Sequence, residues 1–127
     1  MKGHKDDQDK ARWDLLPWRP MGSIAAVITH GAKKYSSGNW KHVANAQDRY
    51  FSAALRHLTA WKQGEHLDPD SGLPHLAHAG CCLLFLHWFD DKLADARPPA
   101  DKPVVNAHLN RIESTVKPLP FVHGELN

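Results

Sequence analysis

Residues 64–80, GEHLDPDSGLPHLAHAG, hold three carboxylates (Glu65, Asp68, Asp70) and three histidines (His66, His75, His78) in a stretch that runs from a turn into a helical pattern. Carboxylates and imidazoles at that density suit a divalent cation, which can bind phosphate oxygens and activate a water. His57 lies about two turns before this connection, with Ala53, Ala54 and Ala60 on its own helical face. Those small residues leave room for a close neighbour or a ligand. An antiparallel helix pair with a short connection would gather His57, Glu65, Asp68, Asp70, His75 and His78 at one end. The plainer alternative is that Asp70 or Ser71 caps the following helix, Glu65 and Asp68 are solvated, and the histidines fill semi-polar positions.

Other chemistries fit less well. DPDSG resembles an EF-hand start, but Pro69 is awkward and the position of the bidentate glutamate is Ala79. His75-x-x-His78 lacks both the i+4 spacing and the glutamate of a zinc-protease helix. No glycine-rich phosphate loop is present. Cys82 lies mid-helix in apolar company, which makes it a core thiol and not a nucleophile. A second cluster is GAKKYSSGNW, residues 31–40. Lys33 and Lys34 fall in the last turn of a helical pattern, where they favour the helix dipole or contact phosphate. Tyr35, Asn39 and Trp40 offer stacking and amide hydrogen bonds to a base.

These residues must be positioned by helices. Residues 21–35 read as a first helix with Ile24, Ala25, Val27, Ile28 and Ala32 as its core stripe. Residues 48–64 read as a second, capped by Asp48 and ending at Gly64, with Phe51, Leu55, Leu58 and Lys62 near one face. Residues 73–96 read as the central helix, apolar around most of its girth. Between the first two, residues 36–47 form a loop. WDLLPWRP (13–20) reads as an extended, docked segment because of its two prolines. No period-2 strand pattern is found. The fold class is therefore all-α, with two or three long helices in a bundle that oligomerisation completes. The organisation is a flexible segment 1–12, a helical domain 13–97 and a proline-rich tail 98–127.

Composition narrows the function. A net charge of +2 is too weak and too dispersed for duplex nucleic acid. No apolar run reaches the length of a spanning helix, and the N-terminal residues carry no secretory pattern, so a cytoplasmic protein is expected. Two adjacent cysteines are no disulfide framework.

RWDLLP (12–17), GAKKY with NW (31–40), ALRHLTAW (54–61), GEHLDPDSGLPHLAHA (64–79) and RPP (97–99) together resemble the phage and bacterial dATP/dGTP diphosphohydrolase N-terminal-domain family. The resemblance implies a small helical protein acting on deoxynucleoside triphosphates. It also suggests kinship with the MazG-like pyrophosphohydrolases, which are all-α, oligomeric and Mg-dependent and cleave a nucleoside triphosphate to the monophosphate and pyrophosphate. Those enzymes hold magnesium with Glu-x-x-Glu on one helix and Glu-x-x-Asp on the next. Here the helices carry Arg56-His57 and His75-x-x-His78, and imidazole suits Mn, Co, Ni or Zn better than Mg. On this reading His57, Asp70, His75 and His78 are expected to ligate the metal. Glu65, Asp68 and Asp70 are the expected catalytic carboxylates, with Glu65 as general base. Lys33, Lys34, Tyr35, Asn39, Trp40 and Arg56 are expected to bind a purine dNTP. The rival expectation is a non-catalytic protein that sequesters a nucleotide.

Overall fold

The computed structural model describes residues 2–96. Its helices are α1 (Trp18–Lys34), α2 (Ala46–Lys62) and α3 (His75–Asp95). Short 3-10 turns stand before α1 (Trp13–Leu15) and before α2 (Asn39–His42). Among the described residues there is no strand, only an isolated bridge between Leu67 and Pro74. The all-α expectation is met with three helices. The tail 98–127 lies outside the described residues.

The segment 13–20 departs from the sequence expectation. Trp18, Arg19 and Pro20 form the first turn of α1, where proline is tolerated because its missing N–H would have no intrahelical partner. The segment is also not docked: Trp13 and Trp18 are each 76% exposed. On α1 itself, Val27 is buried and Ile24 partly so, whereas Ala25 is exposed and Ile28 is 36% exposed on the cleft side. α2 starts two residues before Asp48, with Asn45 in the left-handed region at its N-cap.

α3 is the central element. It packs against both α1 and α2, which have little direct contact with each other. Five of its residues are buried: His75, Ala77, Ala79, Cys81 and Cys82. Val27, Ala77 and Cys81 form the α1–α3 core, with Ile24, Leu73 and Phe85 against it. α1 comes close to α3 at Gly80. A Cβ there would meet Ile24 Cδ1 at 2.8 Å and Cγ1 at 3.2 Å. A single methyl displaces only the flexible end of Ile24 and gains helix propensity, so Gly80→Ala is expected to be near neutral. Gly80→Val is expected to cost about 1–3 kcal/mol by overpacking, read as a lower Tm in a circular-dichroism melt.

The connection between α2 and α3 is built tightly by backbone bonds. Asp68 N–H donates to the Leu73 carbonyl (2.8 Å), Gly72 N–H to that of Asp68 (2.7 Å) and His75 N–H to that of His66 (2.9 Å). Gly72 sits at φ 71°, where a side chain would be strained. The bond to His66 also satisfies one of the orphan amides at the start of α3. No side chain caps this helix, so neither Asp70 nor Ser71 plays the capping role that spacing alone allowed.

Candidate functional site

The packed face of α2 is its small one. Ala46 and Ala54 are buried and Ala53, His57 and Ala60 partly so, which lets α3 approach closely. His57 then meets the first turn of α3. Its Nδ1 lies 2.9 Å from His75 Nδ1 and 3.9 Å from Asp68 Oδ2, and its ring stacks on His78 at 4.5 Å. One donor atom from each of His57, Asp68 and His75 lies within 4.8 Å of the other two.

Two members of this triad, His75 and Asp68, are held from behind. His75 is buried, and its Nε2 stands 2.6 Å from Glu65 Oε1. A carboxylate accepts, so Nε2 carries the hydrogen, and Nδ1 is the ring atom turned toward His57. A single proton donated by His57 Nδ1, or a cation, reconciles the two facing nitrogens. Asp68 Oδ1 accepts from the amides of Asp70 and Ser71, both at 2.9 Å, which leaves Oδ2 facing His57. His78 is occupied differently. Its Nε2 pairs with Ser71 Oγ at 2.7 Å, and that oxygen also accepts from the amide of Leu73 at 3.1 Å.

The electrostatics agree with this packing. Burial lowers the pKa of His57, and the neighbouring His78 lowers it further despite the opposing pull of Asp68. Burial likewise lowers His78. For Asp68 burial acts upward, but the Ser71 and Asp70 amides and the facing histidines carry the net shift downward. Burial pushes Cys81 up to about 12, so it stays a thiol.

The unfolded chain takes up protons on His57 and His78 near their ordinary value of 6.5, while the folded chain resists until lower pH. The unfolded state therefore binds more protons in that window, and stability falls as pH drops below about 6.5. Asp68 adds a second loss below its ordinary value of 3.8, complete once pH passes its lower folded value. Metal-free Tm is expected to decrease between pH 7.5 and pH 5.5, and less so in His78→Gln.

A cleft of about 850 Å³ opens between α1 and α2, with α3 as its floor. Lys34, Tyr35, Asn39, Trp40, Arg56, His57, Asp68, Asp70 and His78 all line it. The two clusters seen in the sequence thus face one space. Lys33, Glu65 and His75 are not in the lining. Lys33 points away on the last turn of α1, where the helix dipole accounts for it. Glu65, expected as the general base, instead holds His75 from outside the cleft. Trp40 lines the cleft, but its ring stacks on Phe85 at 4.1 Å within an aromatic cluster that includes Tyr50, Trp88 and Phe89. Tyr35 is exposed at the rim, with Lys34 Nζ 5.4 Å from its ring.

Three features were not anticipated. Ser71 orients His78, a role for which the Asp68-x-x-Ser71 turn spacing was the available signal. Cys81 and Cys82 line the cleft floor, and Arg49 and Tyr50 extend its basic and aromatic wall. The donor set that converges contains Asp68; Asp70 and His78, two of the four expected ligands, stand beside it.

The family model described as dATP/dGTP diphosphohydrolase, N-terminal, matches residues 1–97. A protein of Salmonella phage PMBT28 named dATP/dGTP diphosphohydrolase is 34% identical over 101 residues, covering 80% of this chain and 33% of the relative. The chain thus spans about a third of that relative's length. No solved structure matches. The match spans every helix of the described residues and the entire His–carboxylate connection, and the chain belongs to the dATP/dGTP diphosphohydrolase N-terminal-domain family.

Proposed function

We propose that this chain is a metal-dependent hydrolase of purine deoxynucleoside triphosphates, converting dATP or dGTP to the monophosphate and pyrophosphate. The observation that carries the reading is the convergence of His57 and Asp68, with His75 behind them, beside a cleft whose other wall presents Lys34, Tyr35 and Asn39. The name of the phage relative supports the substrate class.

Two imidazoles and a carboxylate are a donor set for a borderline cation such as Mn, Co, Ni or Zn, with Mg as a weaker candidate. The Glu65–His75 pair behind it is the outer support that such histidine ligands use. A divalent ion held there supplies Lewis acidity toward the phosphate chain. The protein's own groups do the rest. Lys34 and Arg56 offset the charge of the triphosphate, and Tyr35 and Asn39 meet the base. Asp70, in the cleft beside the triad, takes the proton of the attacking water in place of Glu65. A nucleotide substrate also fits a cytoplasmic setting, and among the described residues no helix is long and apolar enough to cross a membrane.

The test is a phosphorus NMR time course of dATP and dGTP with Mg, Mn, Co or Zn added in turn. Monophosphate plus pyrophosphate is the expected result. Intact nucleotide with broadened resonances under every metal would instead establish a sequestering protein.

A further inference from the structure

His78 lines the cleft but stands outside the group of converging donors, which consists of His57, Asp68 and His75. Its ring stacks on that of His57 at 4.5 Å. The surroundings of its two nitrogens decide what it can do there. Nε2 lies 2.7 Å from Ser71 Oγ, and the same oxygen accepts from the amide of Leu73 at 3.1 Å. The hydroxyl has one hydrogen to give, and among the described residues its acceptor is Nε2. Receiving it occupies the Nε2 lone pair and puts the imidazole hydrogen on Nδ1. Were the ring protonated, Nε2–H would donate to Ser71 instead, and Nδ1 would still carry a hydrogen. Nδ1 itself has no partner among the described residues, and no buried side-chain nitrogen or oxygen there lacks one. It is therefore open to solvent, on a ring that lines the cleft.

We infer that His78 is a fixed hydrogen-bond donor to the phosphate chain of the nucleotide, its Nδ1–H held in place by Ser71. This role rests on the nucleotide-binding reading above and adds a residue to it. Two other roles are set aside by the same geometry. A ring nitrogen that carries a hydrogen has no lone pair for a metal, which removes His78 from the expected ligands. Nor can it take a proton from water, so His78 is not the general base. What an outward N–H suits is a negatively charged oxygen, and Lys34 and Arg56 line the same space.

The tautomer can be read directly in the metal-free full chain by long-range proton–nitrogen NMR of the imidazole. Nδ1–H is expected in the parent, and a mixture of tautomers in Ser71→Ala. Affinity is read by calorimetry in the presence of Mn, with α,β-imido-dATP and inorganic triphosphate as separate probes. His78→Gln reaches toward Ser71 but offers nothing where Nδ1 stood. It is expected to weaken both probes by roughly 10–100-fold, the scale of one charge-assisted hydrogen bond. His78→Asn places an amide N–H where Nδ1 stood, and is expected to stay within about threefold of the parent. Affinity for Mn alone is expected to be the same in parent and variants. An Nε2–H tautomer in the parent overturns the inference whatever the variants do. So does equal loss in Asn and Gln, no loss in either, a loss confined to α,β-imido-dATP, or a fall in Mn affinity. A parent that binds both probes without cleaving dATP, and weakens in His78→Gln, upholds the inference and overturns only the hydrolase. A parent that binds neither probe overturns both.

Discussion

Replacing His57 with glutamine is expected to abolish tight binding of Mn or Co and to lower dNTP turnover by about 10²–10³-fold. His57 is the member of the triad that joins two elements. It reaches from α2 to the first turn of α3, and its Nδ1 faces both His75 Nδ1 and Asp68 Oδ2. Glutamine keeps a polar group of similar reach but offers an amide, a poor ligand for a borderline cation. Titration calorimetry with the metal reads the first effect, and the phosphorus NMR assay the second. A variant that remains helical but binds metal and turns over nucleotide like the parent would make the histidine pair a structural contact.

Glu65→Ala should lower metal affinity 10–100-fold, the usual effect of removing an outer partner from a histidine ligand. The carboxylate touches no part of the cleft lining. Its effect passes through His75, whose Nε2–H it accepts at 2.6 Å and whose tautomer it thereby fixes. Without it, the ring is free to place its hydrogen on Nδ1, facing His57. Glu65→Gln, which can still accept through its amide oxygen, should recover most of the loss. That rescue separates a positioning role from general-base catalysis. A true base would be disabled by Gln and Ala alike, and its pH–rate profile would lose a limb.

Local spacing made much of this site legible. The His-x-x-His start of α3, the carboxylate-rich connection and the alanines around His57 are all read over one or two helical turns. Those are distances over which sequence and space coincide. What spacing could not decide was which donors share a point. That depends on the backbone of residues 63–74, where three amide–carbonyl bonds turn Asp68 inward and leave Asp70 at the cleft surface. α2 posed a similar ambiguity, because it has two apolar-compatible faces, one of alanines and one of Phe51, Leu55 and Leu58. The partner makes that choice, and α3 needs the small face to bring His57 within reach of His75. The segment 13–20 misled for a different reason. Its prolines were read as breakers, whereas one of them falls in the helix's first turn, where no amide is required.

Among the described residues α1 rests chiefly on α3, while the cleft keeps it largely from α2. A molecule that fills this space and touches Lys34 on one wall and Arg56 on the other becomes the missing contact between those two helices. Its binding free energy is then also stabilisation of α1 against detachment, growing with ligand concentration by mass action. The slowing of amide exchange on saturation should accordingly be concentrated in α1, with α2 and α3 already secured by one another.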